Sequence, residues 1–237
     1  MDPRGDVTFV VPPQLRFFLP PRLRRAELRL PVDGTSTAGH LLTAAGVPKT
    51  EVGGLLLDGR RMQLGYRPRP GNRISVLTVS IPQPSPTSPP RFVLDVHLGT
   101  LARRMRLLGL DTAYDRDAED EALLQTSLSQ QRVLLTRDRG LLHRRALRWG
   151  AHIDHQAPDE QLREVLDRFA PSLQPWTRCL ACNGLLLDVA KSGIEEHLPA
   201  GTRRCYDTFR RCRACGQIYW RGAHATRLQS IVDTCAR

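Results

Sequence analysis

The 237-residue chain is 41% hydrophobic and carries a formal net charge of +11, enough length and apolar content for one large domain or two to three small ones. No apolar run approaches the roughly 20 residues of a membrane span. Pro3, Asp6 and Pro12 interrupt any basic-then-apolar secretory signal, so a cytoplasmic protein without a membrane partner is expected. The charge is almost all arginine, lysine occurring only at Lys49 and Lys191; guanidinium stays ionised and grips phosphate in two-pronged fashion, which points to a polyanion beside the plainer reading of compositional bias.

Taken in chain order, Val7–Val11 and Ala26–Leu30 read as strands, Thr37–Ala45 as a short helix, and Gly54–Leu57 and Ile74–Val79 as further strands, with a turn at Asp58-Gly59. Strands around one helix in this length suit a ubiquitin-like β-grasp domain over residues 1–80. Sulfur carriers of that shape end in a free Gly-Gly, but here Val79-Ser80-Ile81 runs on into the chain, which leaves docking or RNA positioning as the expected role, with a protein partner for this domain. Residues 81–90, Ile-Pro-Gln-Pro-Ser-Pro-Thr-Ser-Pro-Pro, form a proline-rich spacer that can be neither helix nor central strand.

Residues 91–170 alternate strand and helix patterns. Strands are predicted at Phe92–Leu94, Thr112–Tyr114, Arg132–Thr136 and Ala151–Ile153; helices at Leu98–Leu108, Asp120–Ser129, Leu141–Trp149 and Asp159–Phe169. Four such units predict an α/β fold with a parallel sheet and flanking helices, its ligands bound beyond the carboxyl ends of the strands. Asp95 follows the first strand directly and Asp138 follows the third with only Arg137 between, while Asp115 to Glu121 form an acidic run after the second. Gathered carboxylates repel one another unless a hard divalent cation holds them, and Mg2+ or Mn2+ so held suits phosphodiester hydrolysis. The plainer reading makes Asp95 and Asp120 helix caps and Asp138 a turn residue. Arg103, Arg104, Arg106, Arg137, Arg139, Arg144, Arg145 and Arg148 offer a phosphate clamp, some of them being only solvated helix surface.

Cys179-Leu-Ala-Cys182 and Cys212-Arg-Ala-Cys215 are two knuckles 29 residues apart, each followed by residues that tolerate a left-handed backbone. They predict one structural, four-thiolate zinc ion in a ribbon over 171–237, the alternatives being a redox pair or unbound thiols. Cys205 and Cys235 are spare thiols, and His224 fits a surface or RNA-facing role better than a ligand's. Arg203, Arg204, Arg210, Arg211 and Arg213 interleave with Tyr206, Phe209, Tyr219 and Trp220, a composition suited to single-stranded RNA or to the ribbon's own small core.

The stretch Leu94-Asp95, Leu98-Gly99-Thr100-Leu101-Ala102-Arg103, Asp120-Glu121-Ala122-Leu123-Leu124 and, most specifically, Leu134-Leu135-Thr136-Arg137-Asp138-Arg139-Gly140 resembles the PIN-like ribonucleases, in particular the Mut-seven C-terminal RNase domain with its zinc ribbon. That resemblance spans residues 91 to about 228, and in related proteins a ubiquitin-like domain precedes it. It implies a PIN-like metal-dependent ribonuclease acting on single-stranded or structured RNA, with Asp95, Asp120 and Asp138 holding Mg2+ or Mn2+, Asp117 and Glu121 as further acids, and Arg103, Arg137 and Arg139 at the substrate. His97, beside the first aspartate, departs from the family's pattern. The alternative is an RNA-binding adaptor with a degenerate nuclease core.

Overall fold

In β1 (Gly5–Val10) Val7 and Phe9 are buried and their neighbours are not, the alternation of a sheet with one face on a core. A computed structural model of the chain describes residues 5–221, 229 and 231–233. After β1 come α1 (Pro13–Arg16), β2 (Glu27–Val32), α2 (Ala38–Ala45), β3 (Val52–Leu57), β4 (Arg60–Met62) and β5 (Arg73–Thr78). They form a five-stranded sheet in the order β2-β1-β5-β3-β4, with β1 antiparallel to β2 and parallel to β5, the β-grasp arrangement expected from the sequence. Thr37 caps α2 by accepting the His40 N–H at 3.2 Å, and Gly46 ends it with φ +114°. Asp58 and Gly59 both take positive φ, 51° and 76°, as a two-residue hairpin loop between β3 and β4 requires.

The spacer holds no helix or strand. Beyond it run β6 (Arg91–Leu94), α3 (Gly99–Leu107), β7 (Asp111–Tyr114), α4 (Asp120–Ser129), β8 (Val133–Thr136), α5 (Arg139–Leu142), β9 (Gly150–His152) and α6 (Pro158–Phe169). The sheet order is β7-β6-β8-β9, and β6 pairs in parallel with both β7 and β8. Phe92, Val93 and Leu94 in β6 and every residue of β8 are buried, as strands covered on both faces must be. The ribbon follows as β10 (Leu186–Val189), α7 (Ala200–Cys205), β11 (Phe209–Cys212) and β12 (Ile218–Trp220), an antiparallel three-stranded sheet.

One predicted element is corrected. The helix expected over Leu141–Trp149 is the single turn α5, Arg139–Leu142, followed by irregular chain. The Leu142 and Leu147 side chains both pack on Gly150, 3.1 and 2.9 Å from where its Cβ would be. Five residues apart they would point about 140° away from each other on a continuous helix. The turn between them brings both onto one glycine.

Two compact units result: Met1–Pro84 with Thr136–His152, and Ser85–Leu135 with Ile153–Arg237. In the first, the Glu51 carboxylate accepts the His152 N–H at 2.8 Å, and the His152 ring lies 5.3 Å from both Phe17 and Phe18. The second unit is tied together by a partly buried polar joint. Asp111, at the start of β7, accepts from Arg132 at 2.6 Å, from the Asn183 amide at 2.8 Å and from Arg178 at 3.3 Å. Asn183 in turn accepts the Thr112 N–H at 3.0 Å. Buried Arg106 donates to Thr112 on the sheet and to the carbonyls of Leu180 and Ala181 in the first knuckle. Gly109 takes φ +84° where a Cβ would collide with the Gln174 carbonyl, so the chain entering the ribbon lies directly on the α3–β7 turn.

Burial alone would raise the Asp111 carboxyl, yet hydrogen bonds from Arg132 and Asn183 and the charges of Arg132 and Arg178 outweigh it and hold it below the ordinary carboxylate range. A carboxylate depressed by folding stabilises the fold above its unfolded value near ~3.9, and that contribution fades as pH falls through the folded value. Asp111→Asn is expected to lower unfolding free energy by about 3 kcal/mol at neutral pH and to flatten the acid dependence below about pH 4. Thermal melts across the acid range check this, and an acid dependence equal to the parent's would contradict it.

Candidate functional site

The register of the parallel strands, Leu94 beside Tyr114 and Leu135, sends Asp95 and Asp115 off the same edge of the sheet. Asp95 is only 4% exposed. Its N–H donates to Leu135 at 3.1 Å, and its Oδ1 accepts the His97 N–H at 2.8 Å, capping the turn Val96–Leu98. The Tyr114 hydroxyl donates to the Val96 carbonyl at 3.0 Å and fills the space a Cβ on Gly99 would need. The carboxylate therefore stands on a locked turn. The His97 side chain is exposed, and its backbone N–H is what caps on Asp95.

Asp115 accepts the Asp117 N–H at 3.1 Å, and Asp117 pairs with Arg116 at 3.2 Å on open surface. Asp120 and Glu121 are exposed in the first turn of α4, where the helix dipole favours carboxylates; the cap is Glu119, so the plainer alternative of Asp120 as a helix cap does not hold. Asp138 lies one residue past β8, its N–H held by Thr136 Oγ1 at 2.8 Å and its Oδ1 accepting the Gly140 N–H at 2.7 Å, and it caps α5. Asp95 and Asp138 thus do act as caps. An N-cap uses one lone pair of a carboxylate, so capping fixes the group without exhausting it.

The arginines divide. Arg103 and Arg137 are exposed. Arg139 lies 4.7 Å over the Phe17 ring and donates to the Phe17 carbonyl at 3.2 Å, a cation–π contact with α1's neighbour. Arg104 pairs with Asp159 at 2.6 Å. Arg106, predicted among the phosphate clamp, is instead 3% exposed and spent on backbone carbonyls of the joint, because its place on α3 faces the ribbon.

The four cysteines of the knuckles converge, with their sulfurs all within 4.8 Å of one another. Cys182 and Cys212 stand 3.4 Å apart and Cys179 and Cys215 3.6 Å, too far for disulfides and near the ~3.8 Å edge of a tetrahedron with metal–sulfur bonds of about 2.3 Å. Each knuckle closes the same way: Asn183 (φ 69°) donates to the Cys179 carbonyl and Gly216 (φ 76°) to that of Cys212, both at 3.0 Å. Gly184 is a space requirement, since its Cβ would sit 2.8 Å from the Cys212 sulfur. Burial works to raise the Cys179 thiol, but hydrogen bonds from the Tyr219 hydroxyl and the Cys182 and Ala181 N–H groups hold it lower, at about 7. Burial and the neighbouring thiols push Cys182 up to about 12. One thiolate forms readily and then opposes the others, a conflict that a bound cation removes. These four residues can hold a metal ion; His224 and Cys235 lie outside the described residues. Cys205, exposed at the end of α7, is not one of the four.

Family comparison accounts for both parts of the chain. Residues 90–232 match the model of the Mut7-C RNAse domain. The chain belongs to that family. Residues 5–83 match the Mut7-C ubiquitin model, so the ubiquitin-like and RNase domains stand in the order that the sequence motifs implied. No curated protein and no solved structure matches the chain. Within this Mut7-C chain no helix among the described residues is long and apolar enough to cross a membrane.

The sequence did not single out Asp111, Arg178, Tyr219 as a thiol partner, or Gly184 as a packing glycine. Only the left-handed residues after each CxxC gave a local signal. Gly184→Ala is expected to weaken divalent-metal binding by roughly tenfold or more, as loss of support around a ligand set does. Competition with a chromogenic chelator, using Co2+ as the probe ion, measures it; an affinity equal to the parent's would contradict the packing role.

Proposed function

We propose that the chain is a metal-dependent ribonuclease that hydrolyses RNA phosphodiester bonds. The observation that carries the reading is membership of the Mut7-C RNAse domain family across residues 90–232, a span that contains Asp95, Asp120 and Asp138. The domain reading is a ubiquitin-like domain at 1–80, a spacer at 81–90, a PIN-like nuclease domain at 91–170 and a zinc ribbon at 171–237.

Asp95, Asp120 and Asp138 are the proposed ligands of Mg2+ or Mn2+, with Asp117 and Glu121 as accessory acids. Carboxylate oxygens are the donors such hard cations take. The bound cation would lower the pKa of a coordinated water and neutralise charge on the scissile phosphate. The chain's own share is positioning. The His97 N–H and the Tyr114–Val96 bond fix the turn on which Asp95 stands, and the Gly140 N–H orients Asp138. Exposed Arg103 and Arg137 are the proposed phosphate contacts, and Arg139 acts with them through its stacked position on Phe17.

The ion proposed for the four cysteines is zinc. Four thiolates leave no open coordination position, so its role is structural, holding the ribbon that aids RNA binding. The thiolate site fits a reducing cytoplasm, and the ubiquitin-like domain is proposed to bind a protein partner.

Purified zinc-loaded chain incubated with end-labelled single-stranded RNA and Mn2+ tests this. Cleavage is expected, with Asp95→Asn and Asp138→Asn each slowing it by roughly a hundredfold or more while zinc content stays at one per chain. RNA bound tightly but left uncut by the parent chain would establish the adaptor alternative instead, and cutting by all three proteins alike would reject the assignment of the acids.

A further inference from the structure

The ribbon carries an open pocket of about 480 Å3, lined by Trp176, Tyr206, Tyr219 and Trp220 together with Arg210 and Arg221. That volume is in the range of small-ligand sites, roughly 300–1,000 Å3. These four aromatics are half-buried, whereas Phe209, 1% exposed, supplies the ribbon's core ring. Tyr206 and Trp220 also lean on the Phe209 cluster and Tyr219 on the Cys179 cluster, and each keeps part of its surface exposed.

Trp176 is held there against its backbone preference. Its φ is +64°, a left-handed conformation that bulky side chains rarely adopt and that is found where surrounding structure enforces it. Three hydrogen bonds do so: its N–H donates to Leu107 at 2.9 Å, its carbonyl accepts from Arg210 at 2.8 Å, and its indole N–H donates to the Gln229 side chain at 3.1 Å. Arg221 carries its guanidinium 5.8 Å from the Trp176 ring centre. Two carboxylates also line the cavity: Asp188, bonded to Arg210 at 2.8 Å, and Asp207, bonded to Lys191 at 2.7 Å. A carboxylate has about four acceptor positions, so each retains capacity for another donor. Residues 171–221 hold eight Lys and Arg against four Asp and Glu, a basic surround for a phosphate chain.

We propose that this cavity binds one unpaired nucleobase of single-stranded RNA, stacked on Trp176, with the adjoining phosphate against Arg221. The carboxylates of Asp188 and Asp207 accept from the base's exocyclic amino group, which favours cytosine over uracil. A duplex hides both the face and the edge that this site reads, so unpaired strands are selected. The choice of RNA rests on the ribonuclease reading; the base-reading geometry does not.

The test uses the full, zinc-loaded chain carrying Asp138→Asn so that strands stay intact, with three fluorescent probes of equal length: oligocytidine, oligouridine and an abasic ribose-phosphate strand. Oligocytidine is expected to bind roughly tenfold or more tighter than the abasic strand, the scale of base–aromatic stacking, with oligouridine between them. Trp176→Leu should remove most of that difference and leave abasic affinity and zinc content unchanged. Asp207→Ala, a change at an exposed residue, should reduce the preference for cytidine over uridine, Asp188 keeping the remainder. Trp176→Leu protein that keeps its zinc and binds oligocytidine like the parent overturns the proposal, as does an unaltered cytidine preference in Asp207→Ala. Should the chain with Asp138 intact fail to cut RNA while base-dependent binding persists, the ribonuclease reading falls and the pocket stands.

Discussion

At the start of β7 one partly buried carboxylate, Asp111, gathers two guanidinium groups and an asparagine amide, and the sheet and the ribbon are joined through it. Arg132 approaches it from the residue before β8, Arg178 from the residue before the first knuckle, and Asn183 from the knuckle itself. Losing one partner strands the others in a desolvated place, so the set is kept or lost together. Arg106 adds a second tie from α3 to the same knuckle. A small ribbon with a modest core gains its rigidity from these contacts and from whatever ion its four sulfurs hold.

The joint sits at the amino end of β7, and the acids leave the carboxyl end of the strands. The contacts that anchor the ribbon, through Asp111, Thr112 and Arg106, lie at the end of β7 opposite to the one where α/β sheets place their ligands. The donor types divide in the same way: four soft sulfurs gathered on the ribbon, and at the sheet edge carboxylates, whose hard oxygens suit the cation proposed for them. In the first unit the turns flanking the ubiquitin-like sheet meet the segment 136–152 at both ends, Phe17 at Arg139 and Glu51, Phe17 and Phe18 at His152.

What the sequence made legible follows from how local each signal is. Period-two burial in β1, the Asp58-Gly59 hairpin turn, Thr37 as a cap and the paired CxxC knuckles are written in neighbouring residues, and each takes the form its local chemistry requires. The segment Leu141–Trp149 misleads because its apolar residues suit a helix until Gly150 demands Leu142 and Leu147 on the same side. Arg106 reads as a surface arginine of a basic helix, and only the arrival of a chain some seventy residues later turns it inward. Asp111 looks like an ordinary strand-edge aspartate for the same reason. Trp176, in a loop between prolines and cysteines, carries no mark of its left-handed backbone. Polar groups whose partners are distant in sequence are the ones that pattern alone leaves unread.

The sheet-edge acids are proposed to hold a hard cation separate from the ion of the cysteines. Calorimetric titration of Mn2+ into the zinc-loaded chain, repeated with Asp95→Asn, addresses this most directly. Mn2+ uptake is expected in the parent, additional to the zinc with which it is loaded, and its loss in the variant with zinc retained. Equal Mn2+ binding by both proteins would contradict it.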